Sequence, residues 1–135
     1  MAANPEQQVI KLDERGQLSI RLDAEYLLRP SVEAILEVER ETRLSLFDLA
    51  TLAANSRMPL EQMSIAVAAF MRAQGRANPD DPLKTSYLGA KAENLAGMIM
   101  EAGIPRIMGG LAVLLAGAVN GGYTSSGEVK AAGTN

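Results

Sequence analysis

Two adjacent carboxylate pairs, Asp13-Glu14 and Asp80-Asp81, come nearest in type and spacing to residues that could do chemistry. A hard cation such as magnesium takes oxygen donors, but neighbours on one loop rarely converge on an ion unless a third ligand arrives from elsewhere. Both pairs stand among turn-forming residues, so the simpler reading is a solvated turn. Other chemistries lack their parts. The chain has no His and no Cys, which removes the commonest general base, the commonest transition-metal ligand, thiol nucleophiles, zinc-thiolate sites and disulfides. Gly109-Gly110 is followed by Leu111 and Ala112, not by the spacing and lysine of a phosphate cradle, and its glycines suit close helix contact instead. With no nucleophile–base pair and no ligand set, the expectation is a protein that is not an enzyme, with no catalytic residue, metal or cofactor.

The methionines are more suggestive. Met58, Met63, Met71, Met98, Met100 and Met108 fall in segments with helical periodicity, where an unbranched, polarizable side chain either fills core gaps or offers an adaptable surface to apolar partners. Core filling accounts for most of them. On a helical wheel Met98 shares a flank with Leu95, whereas Met100 falls off the Leu88, Leu95 and Ile99 stripe and is a candidate contact. The uncharged run from Ile107 to Val119 is apolar all round, so it must sit centrally or bury a second face against another molecule. Met98, Met100, Met108, Leu111 and Leu115 are therefore the candidate partner-binding residues, with helix-in-groove docking as the expected mode.

The elements that must position these residues begin with a hairpin. Leu18, Ile20 and Leu22 recur at period two, Tyr26 and Leu28 repeat the pattern after Asp23-Ala24, and residues 8 to 12 add a strand for a three-stranded meander. Ala24 occupies a turn position that a type I′ geometry reserves for residues tolerating positive φ, so another turn type or a longer loop is expected. Arg29, Pro30 and Ser31 form the structural junction. Proline lacks an N–H for the ladder and closes the strand, Ser31 can cap a helix opening at Val32, and Arg29 can pair with Glu33 or Glu37.

Helices are expected from Val32 to Thr42 with Val32, Ile35 and Leu36 inward, then from the capping Ser45 to about Asn55. A third follows Pro59 and ends near Gly75, a fourth spans about 85 to 102, and a fifth runs from about Pro105 to Val119. Residues 77 to 82 read as the clearest loop. The fold class is α+β, mainly α: an N-terminal β-hairpin or three-stranded meander followed by four or five short helices. With 135 residues, one core is the default, assigned to residues 1–122. Residues 123–135 are small and polar and are expected to be a flexible tail.

The segment from Leu22 through Arg29-Pro30-Ser31 into the Glu-rich helix Val32 to Glu39 resembles the tail-tube or tail-assembly family of phages and gene transfer agents. Glu101 to Ile104 and Leu111 to Gly117 are similar to that family's closing segments, so the resemblance covers roughly residues 16 to 122. It implies a morphogenesis role: a chaperone that binds the tape-measure protein, or a structural component of the tail tube in the virion. Few strands are visible for a β-barrel ring, which favours the chaperone. The expected partners are the tape-measure or other tail proteins, with a homo-oligomer as a further option.

Net charge is −3, with basic residues scattered, so no nucleic-acid stripe is expected. The first eight residues show neither a basic region nor an apolar stretch, which gives a cytoplasmic expectation. A membrane-active protein using residues 107 to 119 is a further alternative, although a span needs about 20 apolar residues.

Overall fold

The computed structural model describes residues 10–12 and 17–130. Three short strands, β1 (Ile10–Leu12), β2 (Leu18–Arg21) and β3 (Glu25–Leu27), form an antiparallel sheet in sequential order. The register sets Ile20 opposite Ile10 on one side and Tyr26 on the other. Leu18, Ile20, Tyr26 and Leu28 are all buried, which is the single apolar face that the period-two pattern predicts. Arg21 pairs with Glu25, so the β2–β3 connection is Leu22-Asp23-Ala24. Among these residues none has positive φ, and the longer loop lets Ala24 stand where a two-residue turn would have strained it. Residues 8, 9 and 13 to 16 lie outside the described residues.

Six helices follow: α1 (Val32–Thr42), α2 (Leu46–Ala54), α3 (Leu60–Ala77), α4 (Lys84–Leu88), α5 (Ala92–Ala102) and α6 (Ile104–Val119). The protein is α+β and mainly α. Local chemistry accounts for the helix starts. Ser31 Oγ accepts from the N–H of Ala34 at 3.1 Å, and Ser45 Oγ accepts from that of Asp48 at 3.0 Å. Each cap satisfies a donor that the first turn leaves open. The Glu39 carboxylate accepts from the N–H of Leu46 at 2.8 Å and so serves the start of the next helix.

The central helix is α3, not α6. From Met63 to Gly75 every residue but Arg72 is buried, because four alanines and a glycine in that span let neighbours approach from all sides. At Gly75 a Cβ would stand 2.8 Å from Cβ of Tyr87, so α4 seats directly on α3. The helix expected over 85–102 is broken at Gly89-Ala90-Lys91, and Arg72 Nη1 holds the break by donating to the carbonyl of Ala90 at 2.6 Å.

Two inward assignments change. In α1 the buried residues are Ala34 and Val38, while Val32 and Leu36 are exposed. The helix is turned by Glu37 and Glu33, which reach Arg72 and Arg76 of α3 at 2.7 and 3.7 Å. Their like-charge repulsion is thereby offset by facing cations. Leu88, expected on the inner stripe with Leu95 and Ile99, is also exposed, because it sits at the end of α4 before the break.

Past α6 the chain does not run free. Gly121 takes φ +77, the N–H of Gly122 donates back to the carbonyl of Gly117 at 2.8 Å, and Tyr123 bridges to Val129 in antiparallel fashion. This strap closes on itself where Lys130 N–H reaches the carbonyl of Gly122. The flexible-tail expectation is corrected for residues 123–130; residues 131–135 lie outside the described residues.

No single described helix is long and apolar enough to cross a membrane. Joined together α5 and α6 have the composition, but the chain bends by 113° between them at Gly103, whose φ is +109.

Candidate functional site

Arg29, Pro30 and Ser31 lie where β3, α1, α3 and the strap meet. Gln74 of α3 is 3 % exposed, and its Oε1 accepts from Arg29 Nε at 3.1 Å and from Gln17 Nε2 at 3.0 Å. A buried amide needs such partners, since leaving one unmet costs on the order of 1–3 kcal/mol. Arg29 Nη1 continues to the carbonyl of Ser126 at 3.2 Å, and the N–H of Val32 donates to the carbonyl of Ser125 at 2.9 Å. The expected pairing of Arg29 with Glu33 or Glu37 is thus replaced. Those glutamates belong to Arg76 and Arg72, and the guanidinium turns to neutral acceptors instead.

Gly127 completes the junction. It is buried at φ +89, and a Cβ there would stand 2.6 Å from Cγ of Arg29 and 2.7 Å from the backbone nitrogen of Ser31. Beside it opens a cleft of about 280 Å³ lined by Arg29, Ser31, Val32, Glu33, Arg76 and Ser126. Both of its cations already have partners, and Glu33 places a carboxylate within it.

A second cleft, of about 180 Å³, lies between the β2–β3 loop and α5, with Asp23, Tyr26, Met71, Lys91, Asn94 and Met98 in its wall. Tyr26 donates its hydroxyl to Asp23 Oδ1 at 2.8 Å and meets Tyr87 edge to face, with ring centroids 5.3 Å apart. Tyr87 in turn accepts from the N–H of Leu27 at 2.8 Å. Burial pushes the pKa of all three tyrosines above the ordinary 10.0, with the bond to the Asp23 carboxylate adding to the rise at Tyr26. A phenol that donates to a carboxylate in a poorly hydrated site resists ionisation. The Tyr26 hydroxyl is a structural donor and the Tyr87 hydroxyl a structural acceptor.

The candidate partner residues divide sharply. Met108, Leu111 and Leu115 are core residues at 7, 0 and 1 % exposure, so they are corrected from partner surface to interior. Uncharged from Ile107 to Val119, α6 offered no sign of its inner side in its pattern, and it packs against α2 and the sheet. The outward side carries Val113 and Gly109 instead. Met98 is half-buried at the second cleft, and Met100 is 61 % exposed.

Asp81 Oδ1 accepts from the N–H of Leu83 at 2.8 Å, and Asp80 is exposed in the turn beside it. Asp13-Glu14 lies outside the described residues. Among the described residues no three acidic side chains gather as a metal site. Sequence reasoning missed Gln74, whose only signal was to be one of two neutral amides, with Gln62, in an alanine-rich helix. It also missed Gly127, which a polar tail disguised. The chain was compared with known protein families, curated proteins and solved structures, and it matches none of them.

Proposed function

We propose that this protein acts in tail morphogenesis of a phage or gene transfer agent, as an assembly chaperone that binds the helical tape-measure protein in the cytoplasm. The observation that supports this reading most is apolar surface left over after the core is filled, above all Phe47 at 67 %, Met100 at 61 % and Val113 at 59 % exposure. Such residues on helices whose other faces are packed can receive the apolar stripe of a second helix. A mainly helical chain with one three-stranded sheet also suits a transient helper better than a barrel ring made of strands.

Co-expression with a tape-measure fragment tests the proposal. The chaperone reading expects co-purification of the two and absence of this chain from finished particles. Many copies per particle would favour the alternative of a structural tail component, and no co-purification together with absence from particles would end both.

A further inference from the structure

The outward strip of α5 is acidic. Glu93, Asn94, Gly97 and Glu101 are exposed along it, with Met98 and Met100 on its two margins. It carries no basic residue, and neither glutamate has an ion-pair partner among the described residues. Gly97 is central, and nothing lies within 4 Å of where its Cβ would stand. The strip is therefore a shallow notch with two carboxylates along it and a flexible thioether at each edge. On the Met98 side it falls into the cleft of about 180 Å³, where Asp23 adds a third carboxylate and Lys91 the one cation. An engineered apolar cavity of about 150 Å³ admits benzene, so this volume takes one leucine, methionine or phenylalanine side chain.

We infer that the α5 strip and its adjoining cleft form the docking surface for a basic amphipathic helix, one apolar side chain of which anchors beside Met98 while its lysines or arginines meet Glu93 and Glu101. The choice of occupant follows from charge complementarity: an acidic helix would set like charges against unpaired carboxylates, whereas a basic one neutralises them. Methionine margins accept different apolar shapes without a fixed fit. The surface deepens the chaperone reading and rests on it for the identity of the natural client, but its chemistry is testable alone.

The test uses the full chain and two synthetic helical peptides of roughly 20 residues sharing one leucine stripe, with polar faces of lysine in one and glutamate in the other. The lysine peptide is expected to bind at least about tenfold tighter, and Glu93→Lys with Glu101→Lys should weaken it by about tenfold. Met100→Ser should weaken it while leaving the charge unchanged. A control with the same net charge, Glu41→Lys with Asp80→Lys, reverses exposed carboxylates elsewhere and should bind almost as the unaltered chain does. Equal binding of the two peptides, or equal loss in the control, overturns the surface. If tape-measure co-purification survives the Glu93 and Glu101 reversals, this surface fails while the chaperone reading stands. If the unaltered chain binds the lysine peptide but no tape-measure fragment, the surface stands and the client is wrong.

Discussion

A single buried amide, that of Gln74, ties α3 to the residue before β2 and to Arg29 after β3. Gln74 Oε1 receives Gln17 and Arg29, so Gln74→Leu removes the acceptor for two part-buried donors. It should cost about 1–3 kcal/mol in chemical denaturation, whereas replacing exposed Glu41 should change little. Gly127 offers the complementary case, where the problem is space and not polarity. Gly127→Ala places a methyl against Arg29 and the backbone at Ser31 in a left-handed conformation, and should destabilise by about 1–3 kcal/mol. The tyrosines give a pH signature. Their folded-state pKa values lie above 10.0, so the native state holds these protons more tightly than the unfolded chain does. The associated stability is fully present below pH 10.0 and is lost as pH rises through the folded values. A phenolate absorbance titration should show all three ionising later in the native protein than in denaturant; a native curve matching the denatured one would contradict their burial.

At the scale of elements, the starts of the first three helices were readable because caps are local. Ser31 and Ser45 mark the starts of α1 and α2, and Pro59 precedes α3, each within one residue of the expectation. What was not readable is which way a helix faces, since that depends on a partner distant in sequence. In α1 the wheel favoured Val32 and Leu36, but the arginines of α3 decide the rotation through Glu37 and Glu33. The same ladder explains the break between α4 and α5, where Arg72 both pairs with Glu37 and holds the carbonyl of Ala90. Arg72→Ala should therefore cost about 1–3 kcal/mol. Arg76→Ala, which loses only a longer and more exposed pair, should cost well under about 1 kcal/mol. Equal effects in thermal melts would show that the Ala90 contact carries no weight.

Across the whole molecule, periodicity and composition sufficed for the class, a small sheet followed by helices, but not for the hierarchy within it. The most apolar helix, α6, keeps an open side, while the alanine-rich α3 is enclosed, because small side chains admit neighbours where large ones fend them off. Candidate contact residues were accordingly half legible: Met100 is exposed as its off-stripe position implied, and Leu111 and Leu115 are interior. The strap was invisible because its anchoring uses backbone groups and glycines. Truncation after Gly122 should lower the melting temperature by several degrees, since it uncovers Arg29 and the N–H of Val32; an unchanged melt would mean that the strap adds nothing. That strap also bears on the order in which the molecule can be completed. Arg29 and Ser126 are 97 positions apart, so a chain emerging from the ribosome exposes the start of its first helix long before the residues that finish it exist. The junction must wait, partly made, until those later residues are added, and its closure reports the arrival of residues 125 to 127.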